Sequence, residues 1–391
     1  MFTAYFKTTV RNLWRNKSNS LLNIFGLATG ITCAGLIFLW AADEVSYDSV
    51  HVKRDRVYLV LENQKYDAGI FTHGSTPAPM APALQAGLPG IAATCRTSEG
   101  LTQQLFTIGD KPVYAAGLYA EPSLFSLFTL PFVQGNAQQA FSQLYSLVLT
   151  ETSAQKFFGT VQNVVGKTVR VDIKQDYVVS GVVKDIPANS SLQFEWVAPF
   201  QIFYDKSPWL QSWGNNSLTT YVELAPNASV TAINKSLSTF IQQHEPQSIA
   251  RPFLFSMKDW RLYGKFEDGK QTGGRIEYVR LFSIIAWIIL LIACINFMNL
   301  STARSEKRAR EVGVRKVLGA GKRSLVLQFI GEALLMALVA AVAAAVLIAL
   351  LLPAFNTLVQ KNLVFDVSNP THLASLALIT LVCGLVAGSY P

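Results

Sequence analysis

Two hydrophobic patterns divide this chain. Four stretches are predominantly apolar, and between the first and second lies a long region where apolar and polar positions alternate. Leu21–Ala42 runs 22 residues without a charge and Leu281–Leu300 runs 20. About 20 residues, rising roughly 1.5 Å each, cross a hydrocarbon core about 30 Å thick. Leu325–Leu352 carries a single carboxylate, Glu332, and Leu373–Tyr390 forms a fourth run after "NPTH". The pattern predicts four transmembrane helices at 21–42, 281–300, 325–352 and 373–391. The first is too long for the apolar core of a cleaved signal, and "AADEVSYD" is a poor cleavage site, so it reads as an uncleaved anchor.

The alternating region, 43–280, reads as an inserted α+β domain. "RVYLVLEN", "SLVLTE", "KTVRVDI", "DYVVSGVVKDI" and "TTYVELA" have the period of strands. "PAPMAPALQAGL", "TSAQKFFG" and "SVTAINKSLSTFIQQH" have the period of helices. Strands interleaved with helices exclude an all-β sandwich. The fold class is therefore an α-helical membrane protein of four transmembrane helices, with a large α+β domain between the first and second. A periplasmic loop is expected at 353–372.

Charge sets the orientation. Residues 1–42 carry Lys7, Arg11, Arg15 and Lys17 and no acid, and 301–323 carry eight basic residues against Glu306 and Glu311. Residues 43–280 are nearly neutral, with 20 basic and 21 acidic side chains. The net charge of +8 thus belongs to two short segments flanking apolar runs. Basic flanks face the cytoplasm, which places the N-terminus inside and 43–280 outside. A nucleic-acid partner is excluded, because no soluble domain is basic. In residues 1–20, Lys7, Arg11 and Arg15 form one stripe beside Phe2, Phe6, Val10, Leu13 and Trp14. A cytoplasmic amphipathic helix on the membrane lipid, or a contact with a partner, both fit.

Candidate chemistry is sparse. Cys33, Cys294 and Cys383 lie in apolar runs and Cys95 is alone in the inserted domain; no Cys/His spacing suits zinc, and the histidines are scattered. No metal, no cofactor and no catalytic constellation is expected. Glu332 lies nine residues after Arg323, where a basic neighbour can neutralise it; otherwise an intramembrane acid serves as a proton relay or ion ligand. Gly26 and Gly30, and again Gly384 and Gly388, stand four apart, a spacing that lets helices approach closely.

The segment 301–324 contains "GAGK", but a phosphate loop needs a glycine where Lys316 stands and Ser or Thr where Arg323 stands. It reads instead as a helical hairpin with Glu306–Arg310 and Lys307–Glu311 pairs. Val314, Val317 and Leu318 give it an apolar edge beside Arg315 and Lys316, and Gly319 and Gly321 reverse the chain. Lipid binding accounts for the charge alone; a protein-docking tip also accounts for the valines and glycines.

"INFMNLSTARSEKRAREVGVRKVLGAGKRSLVLQFIGEALL" closely resembles the signature of FtsX/MacB-type permeases of ABC transporters. "YDSVHVKRDRVYLV", "TPAPMAPAL", "LFSLFTLPFVQGN", "VLTETSAQKFFG" and "VVSGVVKDIPANSSLQF" are similar to that family's periplasmic core domain, and the terminal "AGSYP" to the end of its fourth span. The resemblance implies a bacterial inner-membrane permease subunit without ATPase activity of its own. A cytoplasmic ABC ATPase would couple at 301–324, through Glu311, Gly313, Arg315, Lys316, Gly319 and Ala320. It also implies a distal subdomain at roughly 110–218 and work as a pair, either a homodimer or with a fused second half. The implied function is transmission of ATP-driven motion to the periplasmic domain for export or release of envelope cargo. The alternative is a membrane-anchored periplasmic sensor or regulator, including control of a cell-wall hydrolase.

Overall fold

A helix is the one open-ended conformation that satisfies every backbone N–H and C=O from within its own segment, so long uncharged runs adopt it. The first run becomes α1, Lys17–Val45. The computed structural model describes residues 17–302, 317 and 321–388. It divides into a helical unit, made by the chain up to Val45 and from Glu277 onward, and a second unit, Ser46–Ile276.

The second unit is α+β. It opens with β1 (Val57–Tyr66), β2 (Gly69–His73), β3 (Thr76–Pro77) and α2 (Met80–Gly87), then β4 (Ile91–Ser98), β5 (Thr102–Ile108) and β6 (Lys111–Ala120). A single turn α3 (Leu124–Leu127) and β7 (Phe132–Gln134) precede β8 (Ser146–Thr150), α4 (Glu151–Phe158), β9 (Thr168–Val171) and β10 (Gln175–Val183). β11 (Trp196–Pro199), α5 (Phe200–Asp205), β12 (Asn216–Leu224), α6 (Val230–Leu237), β13 (Ala250–Ser256) and the hairpin β14 (Lys265–Glu267) and β15 (Lys270–Gly273) complete it.

β11 closes part of this sheet on itself. It runs antiparallel to β8 and parallel to β6, so that β6, β5, β9, β10, β8 and β11 form a small barrel. The interior is filled by Phe106, Tyr119, Leu147, Leu149, Val169, Val179 and Trp196. Gly117 lies opposite Trp196 in the register, and a Cβ there would meet the Trp196 carbonyl oxygen at 2.1 Å and its indole at 2.4 Å. The missing side chain is what lets the indole lie against β6, where its Nε1 donates to the Ala115 carbonyl at 3.0 Å. α4 covers the barrel with Ala154 and Phe157. Thr150 caps its start by accepting from the Ser153 N–H, and Gly159 ends it in the left-handed region at φ 69°.

The barrel strands run from Thr102 to Pro199. Residue 110 falls in the turn between β5 and β6, and both strands belong to the barrel. At the other end β12, which begins at Asn216, joins the second half of the sheet instead. That half is the antiparallel array β4, β12, β1, β13, covered on one face by α2 and α6. Met80, Leu84, Ile233 and Leu237 pack there on Val60, Val222 and Leu254. β13 ends the strand order with a blunted edge: Pro252 has no N–H to offer, and the Leu254 N–H donates to Asn234 Oδ1 at 2.8 Å.

The helical unit comprises α1 with α7 (Arg275–Thr302), α8 (Lys322–Val359) and α9 (Pro370–Gly388). Its buried centre is built largely from small residues: Ala28 and Ala34 from α1, Ala286 and Ala293 from α7, and Ala333, Ala337, Ala340 and Ala344 from α8. Lipid is as apolar as the helix surface, so helices associate by close packing, and small side chains permit it. Leu21, Phe25, Ile284, Ile288, Val342 and Val346 point outward. Among the described residues, Ser20–Val45, Arg275–Leu300 and Phe329–Val359 are long and apolar enough to cross a membrane; Pro370–Val386 is apolar but shorter.

The third helix extends beyond its expected end at 352, through Pro353 to Val359. It stops where Gln360 adopts φ 53° and Asn356 takes over the backbone groups beyond the helix. The Asn356 side chain donates to the Leu363 carbonyl at 2.9 Å and accepts the Leu363 N–H at 3.0 Å. A proline about two turns before this cap therefore does not end the helix, although proline disfavours helix interiors.

Candidate functional site

The expected ATPase-coupling residues Glu311, Gly313, Arg315, Lys316, Gly319 and Ala320 lie outside the described residues, as does most of the expected N-terminal amphipathic helix. The described structure reaches the two ends of the coupling segment. α7 runs without interruption to Thr302, and α8 begins at Lys322 after Gly321.

The four glycines expected at helix contacts all face neighbouring helices. A Cβ on Gly30 would approach the Ala293 Cβ at 2.5 Å, and one on Gly26 the Asn296 side chain at 3.0 Å. Gly384 would meet Leu334 at 2.6 Å, and Gly388 would meet the Ala333 Cβ at 3.0 Å. Gly26 and Gly30 thus seat α1 on α7, and Gly384 and Gly388 seat α9 on α8. Beyond the end of α8, Lys361 pairs with Asp43 and with Glu44, the latter at 2.9 Å. Glu44 is buried, so this cation offsets a carboxylate that would otherwise be costly to desolvate. Glu332 is half-buried within α8.

Two of the sequence motifs meet in the second unit, which sequence spacing did not reveal. Asp48, held at φ 59°, accepts both the Ser191 N–H and the Ser191 hydroxyl at 2.6 Å, across 143 residues of chain. Its own N–H donates to the Asn189 carbonyl at 2.9 Å. His51 Nδ1 accepts the Thr129 N–H at 3.2 Å, so the ring proton sits on Nε2, 2.9 Å from Ser190 Oγ. Burial pushes the His51 pKa below its ordinary value, with the nearby Asp48 charge opposing that shift.

Ser, His and Asp here have the residue types of a hydrolase triad and the wrong geometry for one. The imidazole donates to Ser190 and cannot take its proton, while Asp48 is spent on Ser191. The cluster instead ties the start of the unit to the loop before β11. Lys53 and Arg56, from the same motif, reach Glu223 of β12 at 2.7 and 3.3 Å.

Two other ionisable groups are buried nearby in sequence terms but differ in character. Burial pushes the Cys95 thiol up to about 12, which leaves it protonated and unreactive. Glu62, fully buried in β1, is pushed up to about 7 by desolvation, although the Asn216 and Gln64 amides donate to its Oε2. Its Oε1 has no hydrogen-bond partner among the described residues. Among those residues no group of three or more His, Cys, Asp or Glu side chains is placed to hold a metal ion.

Comparison with known proteins divides the chain in two as well, with the first match also taking in α1. Residues 20–240 match the MacB-like periplasmic core domain, and residues 283–391 match the FtsX-like permease C-terminal. The macrolide export ATP-binding/permease protein MacB of Aggregatibacter actinomycetemcomitans is 26% identical over 247 residues, 61% of this chain and 36% of that protein. The chain spans about a third of the length of the curated relatives it matches first. A crystal structure of a domain assigned to a permease of Porphyromonas gingivalis aligns at 23% identity with a TM-score of 0.45, covering 52% of this chain and 90% of that one. The periplasmic region of MacB from Actinobacillus actinomycetemcomitans aligns at 16% identity with a TM-score of 0.39, over 53% and 91% of the two chains. With the first family match alone spanning more than half of its length, this chain belongs to the FtsX/MacB-type permeases, inner-membrane proteins that combine a MacB-like periplasmic core domain with an FtsX-like permease region.

Proposed function

We propose that this chain is the permease unit of an ABC transporter, driven by a separate cytoplasmic ATPase that docks on residues 301–324. Four spans, with the N-terminus and the docking segment inside, would satisfy the basic flanks of the first and second apolar runs. Glu311, Gly313, Arg315, Lys316, Gly319 and Ala320 would form the docking tip, and a second permease unit would complete a pair. Membrane lipid would surround the outward apolar faces.

The observation that carries this reading is the continuity of the helices on either side of the docking segment. α7 spans 28 residues, about 42 Å at 1.5 Å each, with no break or inserted proline. α8 spans 38 residues, with Glu332 as its one carboxylate. Rigid rods with a close-packed, alanine-rich seam suit the transfer of displacement better than the conduction of a polar solute. ATP-driven approach of two docked ATPases would move the paired hairpins, and the rods would pass that motion to the periplasmic domains. The cargo would be a molecule of the envelope, exported or released.

The test is association. Arg315→Glu with Lys316→Glu should abolish co-purification of an ABC ATPase with the full-length protein from membranes, while folding and membrane insertion persist. Undiminished co-purification of the same ATPase by the charge-reversed protein overturns the assignment of the docking tip.

A further inference from the structure

A cavity of about 560 Å³ runs along the open side of β13, the last strand in the sheet order. Asn234 and Ser238 of α6 line one wall, and Phe266 and Gln271 of the β14–β15 hairpin line the other. The walls stand on opposite faces of the sheet, because side chains alternate along β13. Leu254 packs with α6, while Phe253 and Phe255 meet Phe266 at ring-centroid distances of 5.8 and 5.4 Å. The hairpin wall is pinned in place. Asn63 Nδ2 donates to the Gly269 carbonyl at 2.9 Å, and the Ile70 N–H donates to Asp268 Oδ1 at 3.2 Å. The cavity is therefore preformed, and its volume falls within the range of small-molecule sites, about 300–1,000 Å³.

We propose that this cavity binds a neutral carbohydrate of one or two sugar rings. In an antiparallel pair alternate residues turn their backbone groups away from the partner strand. In β13 these include Pro252, which has no N–H, and Leu254, whose N–H is taken by Asn234 Oδ1 at 2.8 Å. What these two positions present is carbonyl oxygen. An incoming peptide strand would lose the rungs of its ladder that need an N–H from β13. Sugar hydroxyls donate to carbonyl oxygens and ask for no donor in return. Phe253 and Phe266 supply aromatic rings, whose negative faces attract the polarised C–H groups of a sugar ring. The charged side chains of the lining are Arg251 and Asp259, of opposite sign, so a ligand without net charge meets a balanced surface. Asp259 can accept two neighbouring hydroxyls, one on each oxygen. Gln271 Nε2 is held by the Tyr263 carbonyl at 3.1 Å, which fixes the orientation of its amide beside the ligand. The cavity lies entirely within residues 46–276 and would bind sugar whether or not 301–324 docks an ATPase.

The test uses the full-length protein in lipid nanodiscs and saturation-transfer-difference NMR with maltose, cellobiose and N,N′-diacetylchitobiose in turn. The expected result is transfer to the ring C–H protons of at least one of them. Phe266→Ala and Asp259→Asn should each raise its half-saturating concentration about fivefold or more. Leu144→Ala, in a separate cavity of the same domain, should leave that concentration unchanged. Asp259 is partly exposed, so Asp259→Asn keeps the test decisive even if Phe266→Ala unfolds the hairpin. Absence of transfer to all three sugars, or transfer that Asp259→Asn does not weaken, overturns the proposal. Transfer to an alternating Thr–Val hexapeptide in place of the sugars also overturns it, since the cavity would then extend the sheet.

Discussion

In the helical unit Gly30 faces the methyl group of Ala293; in the periplasmic domain Gly117 faces the carbonyl and indole of Trp196. Both glycines permit a close approach, yet the approaches differ in kind. Gly30 sits between two helices that each satisfy their own backbone, so the contact is one of packing alone. Gly117 sits inside a strand ladder, where side-chain packing and backbone pairing must be satisfied by the same atoms. The periplasmic domain adds buried polar ties such as Asp48 to Ser191, whereas the centre of the helical unit is built largely from alanines. Water drives the burial of Trp196 and Phe106, whereas lipid gives the helical unit no comparable force. The periplasmic domain should therefore be the less forgiving of the two.

The largest effect that follows is at the barrel seam. Gly117→Ala places a methyl 2.1 Å from a backbone oxygen, and no rotamer of Trp196 can relieve that contact. Separating β6 from β11 opens the barrel, at a cost of about 3 kcal/mol or more. The full-length variant should lose near-ultraviolet aromatic dichroism and protease resistance in residues 46–276. A native dichroism spectrum would show that the seam carries less of the domain than its geometry implies.

The next effect is electrostatic. Glu62 has its pKa raised from an ordinary 4.5 to about 7 by burial, so the folded domain binds its proton more tightly than the unfolded chain. Its contribution is fully present below about pH 4.5 and is lost as the pH rises through 7. Between pH 5 and pH 8 that loss amounts to about 2.5 kcal/mol. Glu62→Gln keeps the shape and removes the titration, so urea unfolding curves of variant and parent should diverge progressively with pH, the variant gaining. Parallel curves from pH 5 to 8 would mean that the carboxyl is neutralised by a partner at every pH.

What could be read from sequence follows the same physical divide. An uncharged run reports a helix locally, so α1 and α7 were legible to within six residues at each end. β1, β8, β10 and β12 were legible because alternation is also local. The barrel was not. Its closure depends on the parallel register of Trp196 with Gly117, and "KPVYAAGLYA" of β6 mixes small and large residues where a buried seam needs both. The Asp48–Ser191 tie escaped for the same reason, since each motif was visible and their meeting was not. The end of α8 lay beyond the apolar run because Asn356, acting on Leu363 past the helix, holds the last turn. The docking residues from Glu311 to Ala320 rest on sequence alone.

The smallest effect is the sharpest test of the comparison. Gly30→Ala brings two methyl groups to 2.5 Å, closer than they can stand, so α1 and α7 must separate slightly. The clash is with a side chain on an independent helix, and lipid can fill the gap that opens elsewhere. The cost should be about 1 kcal/mol, the scale of single interhelical contacts in membranes. Because the obstacle is a methyl group, moving it should undo the damage: Gly30→Ala combined with Ala293→Gly restores the space with the partners exchanged. Unfolding of the full-length protein from lipid bicelles should show the single variant weakened and the double variant recovered, apart from the helix propensity that glycine costs α7. Gly117 admits no such exchange, since the atom it faces belongs to the backbone. If the double variant fails to recover, Gly30 and Ala293 are not held by packing alone, and the two units are stabilised more alike than their neighbours suggest.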